Sequence, residues 1–256
     1  MGRENNLYMQ VRSLMVSNSK TTRLLAIVTV FACLTGIALA DYTNSCNECE
    51  PERQFYLGGI IGSSWITLTD PTSQPAIVGS NPVFTAGGTA GMSFQRESWF
   101  SELPGQLRVE FEARGRDQVV ATETLAGDTL TERATDGWST MVNVWRDNNF
   151  SEKWGYYVGA GIGAGGYRSN LAIIAGPTAI SNNENVSAFA WQAGTGLIWE
   201  ISDRATIDLG YRFFSINNTS ATLDLAGTPI PYERGYSASE LLLSLRIYEP
   251  FRRFMK

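Results

Sequence analysis

The 256-residue chain contains no histidine. Ser-His-Asp triads, Cys-His nucleophile systems, and His-ligated zinc or haem all require an imidazole, so these chemistries are excluded. With those chemistries gone, no enzymatic activity is expected. Cysteine is scarce, with three residues, and charged residues make up 18% of the chain at a net charge of −5. A nucleic-acid binder needs a broad basic face that this composition does not supply. With 43% hydrophobic residues the chain can still bury a core.

Long apolar runs are likewise rare. Leu24–Ala40 is uncharged, follows Lys20 and Arg23, and ends in Ala38-Leu39-Ala40 before Asp41. It is shorter than the roughly 20 residues of a spanning helix, and its small residues suit a signal peptidase. Residues 1–40 are therefore expected to be a signal peptide cleaved between Ala40 and Asp41, with residues 41–53 a polar periplasmic lead-in. Cys46 and Cys49 lie in that lead-in. A lone C-x-x-C lacks the further ligands a metal needs, and Glu50 stands where a c-type haem site needs histidine. A local or intermolecular disulfide suits an oxidising compartment better than redox catalysis. No cofactor or metal is expected.

From Gln54 onward the hydrophobic period is two. Eight segments alternate: Gln54–Leu68, Val83–Gln95, Gly105–Arg116, Gly137–Asp147, Trp154–Arg168, Val186–Ile201, Arg204–Ile216 and Tyr236–Tyr248. In the third, Leu107, Val109, Phe111 and Ala113 alternate with Arg108, Glu110, Glu112 and Arg114. In the fifth, Tyr156, Val158, Ala160 and Ile162 oppose Tyr157, Gly159, Gly161 and Gly163. The segments exceed the ~5–6 residues of soluble strands and match tilted strands that cross a bilayer. Long connections (Thr69–Pro82, Asp117–Asp136, Ser169–Asn185, Asn217–Gly235) alternate with short ones (Arg96–Pro104, Asn148–Lys153, Ser202-Asp203). The expected fold is all-β: an eight-stranded antiparallel up-and-down transmembrane β-barrel over residues 54–248, with a short tail at 249–256.

A soluble lipocalin-like barrel would share the alternation but turn its apolar face inward. Glycine on the polar faces favours the membrane barrel, because a narrow filled interior needs small residues. Aromatic residues near segment ends (Phe55, Trp65, Phe84, Phe94, Phe189, Trp199) read as an interfacial girdle.

Trp154-Gly-Tyr-Tyr-Val-Gly-Ala-Gly-Ile-Gly-Ala-Gly-Gly-Tyr167, Trp191-Gln-Ala-Gly-Thr-Gly196 and Asp208-Leu-Gly-Tyr-Arg-Phe213 resemble strands of small outer-membrane β-barrels of the OmpA/OmpX and opacity type. The resemblance implies a Gram-negative outer membrane, long loops outside the cell and both termini in the periplasm. Many such chains end on an aromatic residue, whereas Glu249-Pro-Phe-Arg-Arg-Phe-Met-Lys256 follows the last segment here. An internal assembly signal within Leu241–Tyr248 is implied.

Gly161-Ile-Gly-Ala-Gly-Gly166 satisfies G-x-G-x-x-G but lies within one period-two segment with no helix after it, so it reads as barrel interior. Four cations (Arg108, Arg114, Arg212, Arg246) and four anions (Glu110, Glu112, Asp208, Glu240) fall on polar faces. In so narrow a barrel they are expected to form an interior charge network, since unpaired buried charges are costly. Glu110 and Glu112, flanked by arginines, read as ion-pair members rather than an acid/base dyad. The expected role is non-enzymatic: display of four loops for envelope integrity, adhesion or surface interaction. A narrow porin-like channel is the alternative. Expected partners are outer-membrane lipid and lipopolysaccharide, with extracellular or host ligands through the long loops. Amino-terminal sequencing of the membrane-inserted protein should begin near Asp41; a start before Leu24 would mean the leader is retained.

Overall fold

Strict alternation along a strand puts consecutive side chains on opposite sheet faces, so each segment has one apolar and one polar side. A sheet can satisfy both sides in a bilayer by closing on itself, with every backbone group paired and the apolar side outward. The computed structural model describes residues 53–69, 77–78, 82–94, 105–125, 128–175, 178–202, 204–225 and 228–250. Ala38, Ala40, Asp41, Cys46 and Cys49, on which the export and disulfide expectations rest, lie outside the described residues.

Ten strands follow in order: β1 (Arg53–Thr69), β2 (Ile77–Val78), β3 (Val83–Phe94), β4 (Gln106–Arg116), β5 (Val119–Leu125), β6 (Asp128–Asn149), β7 (Trp154–Ala175), β8 (Thr178–Ser202), β9 (Ala205–Leu225) and β10 (Thr228–Tyr248). Eight of them form the wall, each pairing antiparallel with its sequence neighbour in the order β1-β3-β4-β6-β7-β8-β9-β10. β10 returns to β1, from Tyr56↔Tyr248 to Thr69↔Gly235, and the barrel is closed. β5 continues the line of β4 beside β6 after a break at Asp117 and Gln118, and β2 adds a short edge to β1.

The apolar faces are outside. Ile61, Phe111, Val142 and Ile162 are all more than half exposed, whereas Glu112, Glu240 and Asn143 have no exposed surface. The girdle residues Phe55, Trp65, Phe84, Phe189 and Trp199 are also exposed, and Trp154 stacks on Trp199 at 5.7 Å near the short turns. The soluble lipocalin-like alternative requires the reverse arrangement and is ruled out.

The strand lengths differ from the expectation. Most of Asp117–Asp136, Ser169–Asn185 and Asn217–Gly235, read as loops from their Ser, Thr, Asn and Gly content, is strand. β7 and β8 remain paired up to Ala175↔Thr178, and β9 and β10 up to Leu225↔Thr228. The reason is tertiary: the barrel already aligns neighbouring backbones, and added ladder bonds override weak side-chain propensity. Inward residues such as Val119, Ala121, Ala134 and Val186 also acquire a buried face. These extensions rise as a crown at the end opposite the short turns. Register shifts between Thr135 and Trp138 and between Arg234 and Tyr236 mark where strands leave the barrel for the crown. Bulges at barrel rims bend strands in this way. Asp136 takes a positive φ of 53° in the first of them.

Val142, exposed and paired with Phe111 in mid-strand, sits in the centre of the apolar band. Val142→Arg should cost about 2–4 kcal/mol, and Leu107→Arg near the band's edge only about 0–1 kcal/mol. Urea-dependent folding into lipid vesicles, read by gel mobility with and without boiling, measures both; equal costs would contradict this placement.

Candidate functional site

The chemistry-bearing side chains converge in the lumen. β4 delivers Arg108, Glu110, Glu112, Arg114 and Arg116 to the inside at successive period-two positions, making a column of charge along the barrel axis. Facing strands answer it with Asp147 from β6, Asp208 and Arg212 from β9, and Glu240 and Arg246 from β10. All ten are buried, five cations against five anions.

Two clusters make up the column. Toward the crown, Glu240 receives Arg114 Nη1 at 2.5 Å, Arg116 Nε at 2.8 Å and the Ser64 hydroxyl at 3.1 Å. Arg114 also contacts Glu112 at 2.5 Å, and Glu112 is hydrogen-bonded by Arg212. Toward the short turns, Asp147 accepts from Arg108 Nε at 2.7 Å and from Arg246 at 3.2 Å, while Arg246 Nη2 reaches Asp208 at 2.6 Å. Glu110 lies 3.3 Å from Arg108 and accepts from the Tyr56 hydroxyl (2.8 Å), Trp145 Nε1 (3.2 Å) and Asn143 Nδ2 (3.3 Å). Two amides join the clusters. Asn143 also donates to Glu112 at 3.1 Å, and Gln192 donates to Asn143 at 2.6 Å while accepting from Arg114 at 2.8 Å.

Arginine suits this packing because its planar fork can serve several carboxylates at fixed angles, and its flat face stacks on rings. Arg212 lies over Trp145 at 4.6 Å and Arg116 over Phe214 at 4.1 Å. Glycine makes room for the large rings. A Cβ on Gly91 would lie 2.5 Å from the Tyr56 ring, and one on Gly159 would lie 2.6 Å from Trp145. Gly161 to Gly166 lie within β7, where a Cβ on Gly161 would meet the Asn143 amide oxygen. The G-x-G-x-x-G spacing there is interior packing.

Above the charge column the lumen turns apolar. Ile66, Leu68 and Ile216 are buried there, and Tyr167 and Tyr236 meet across the lumen at 5.0 Å. Within the charged part, a cavity of about 10 Å³ lies among Arg108, Glu110, Asp208, Arg212 and Arg246. That is room for about one water molecule.

All eight charged residues named from sequence lie in this column. Sequence reasoning missed Arg116 and Asp147, although period two from Arg114 and from Trp145 points to both. It also missed the neutral bridges Asn143 and Gln192, and nothing in their sequence context sets them apart. The apolar layer escaped because Val119, Ala121, Ala134 and Val186 sit in or beside stretches that read as loops.

Removing one partner from a buried pair leaves an uncompensated charge, which costs about 3–5 kcal/mol. Glu112→Leu takes the paired carboxylate from Arg212, while Arg114 keeps Glu240, and should lose that much. Glu110→Gln should lose less, because Asn143 and Trp145, which share one carboxylate oxygen of Glu110, can still donate to the amide oxygen. Glu110→Lys should be worse than either, since it sets a cation beside Arg108. Urea titration in vesicles ranks the three, and a Glu110→Lys protein as stable as the parent would overturn the network's structural importance.

No curated protein matches the chain significantly. Among solved structures, Neisserial surface protein A is 12% identical, covering 75% of this chain and 96% of its own, with a TM-score of 0.38. Ail of Yersinia pestis, solved with the heparin analogue sucrose octasulfate, is 12% identical over 76% of this chain and 99% of its own, with a TM-score of 0.34. The Escherichia coli outer-membrane protease OmpT is 7% identical over 77% and 95%, with a TM-score of 0.36. Nothing about what this chain binds follows from similarities at that level. The family model described as the outer membrane protein beta-barrel domain matches residues 29–230. The chain belongs to that outer-membrane β-barrel family.

Proposed function

We propose that this protein is a non-enzymatic outer-membrane scaffold that holds a crown of β-hairpins outside the cell for surface interaction or envelope integrity. The observation that carries this reading is the filled lumen. A cross-linked charge column fills the lumen near the short turns, and an apolar layer lies next to it toward the crown. A path for ions would require both to rearrange. The largest features left for contact are the hairpin extensions, and all of them rise from one end.

In this reading the crown is extracellular, and the short turns at Phe150–Lys153 and around Ser202 are periplasmic. β1 starts and β10 finishes at that same end, which supports a periplasmic side for both ends of the barrel wall in this reading. Outer-membrane lipid surrounds the apolar band, lipopolysaccharide borders it on the outer leaflet, and extracellular ligands meet the crown. The absence of histidine supports a role without catalysis.

Two measurements test the proposal. Cysteines placed singly at Thr131, Asn182 and Ser202 in intact cells should react with an impermeant reagent at the first two and not the third. The reverse pattern would invert the barrel. In planar bilayers the purified protein should give no sustained conductance, and discrete long-lived openings would favour the narrow channel instead.

A further inference from the structure

The crown is not a uniform continuation of the barrel. β6, β7 and β8 stay paired with one another far above the rim, as far as Thr129↔Ile174 and Ala175↔Thr178. The β8–β9 ladder stops much lower, at Ala190↔Ile216. On the other side the described β1–β10 ladder reaches Thr69↔Gly235, where the described part of β1 ends. At that level Asn217 and Asn218 of β9 face the single residue Gly235 of β10, forming a bulge. Among the described residues, the hairpin from Asn217 to Arg234 therefore has ladder pairing only within itself. Its neighbour on the other side of the gap is a four-stranded sheet, β5-β6-β7-β8.

The sequence explains why the seam opens there. Asn182, Asn183 and Asn185 on β8 and Asn217 and Asn218 on β9 flank it, and asparagine is depleted in strands. A two-stranded hairpin alone is marginally stable in water. Side-chain contacts between described residues cross the seam. Asn182 Nδ2 donates to the Thr222 carbonyl at 3.3 Å, and Arg234 Nη1 lies 3.3 Å from Glu184 Oε2. The arginine end of the ion pair is buried at the hairpin's root, with 4% of its side chain exposed, while Glu184 is 40% exposed.

We propose that the Asn217–Arg234 hairpin is a hinged arm. It bends at the Asn217-Asn218/Gly235 bulge and is latched to β8 through Glu184 and Asn182. When it undocks it uncovers the backbone edge of β8 from Ser181 to Phe189. The arm moves as a unit because its own ladder is intact, and the barrel below stays closed because the β8–β9 pairs from Ala190↔Ile216 to Ser202↔Ala205 are unaffected.

Amide exchange read by mass spectrometry on the full chain in lipid nanodiscs tests this. In the parent protein, amides of 217–225 and 228–234 should exchange faster than those of 128–134 and 168–175, which lie at similar height. The double variant Glu184→Ala/Asn182→Ala should exchange about tenfold faster in the arm and along Ser181–Phe189, with 205–216 unchanged. Equal protection of arm and sheet in the parent protein would overturn the proposal. So would a double variant in which arm exchange does not change, or in which 205–216 accelerates equally.

Discussion

The lumen of an eight-stranded barrel is just wide enough for its own side chains, and most of what is distinctive here follows from that width. There is no room to hydrate ten charged groups, so each must find its partner among the other inward side chains. The partners come from strands far apart in sequence: Arg114 and Glu240 are 126 residues apart, and Arg212 and Glu112 are 100 apart. Such a network can be satisfied only when β4, β6, β9 and β10 all hold their correct registers. A one-residue slip of any strand would move its charges to the lipid face. The network therefore selects a register as well as filling the interior. Ion pairs this deeply buried are weak evidence of net stabilisation, because desolvation offsets much of their attraction. What they supply is intolerance of the alternatives.

The interior is graded along its axis. The charge column occupies the part toward the short turns, and Ile216 and the Tyr167–Tyr236 pair lie toward the crown. Arg116 over Phe214 lies where one part meets the other. Such a barrel is closed twice, by two kinds of packing. This supports the proposed scaffold; at the crown, among the described residues, the wall divides into a four-stranded sheet and a hairpin paired within itself.

The barrel and the orientation of its faces were legible in the sequence because both rest on period two, which is local. Leu107, Val109, Phe111 and Ala113 against Arg108, Glu110, Glu112 and Arg114 needed no partner strand to be sorted. Histidine's absence was equally direct, since it removes whole chemistries wherever the chain folds. The site was legible in part for the same reason: an alternating strand announces which charges face inward but not which charge meets which.

The remainder depends on contacts between distant segments. Asn143 and Gln192 bridge the two charge clusters only because β6 and β8 bring them to the same level of the lumen. The crown strands, rich in Ser, Thr and Asn, look like loops until a paired barrel rim extends their ladders. The seam between β8 and β9 exists because one such extension gains a neighbour and the other does not. Local alternation, set by the geometry of a single strand, was enough to determine a closed barrel with its apolar side outward. Register, charge pairing and the height at which each strand stops were decided by tertiary structure, because each is a relation between strands and no single strand contains it.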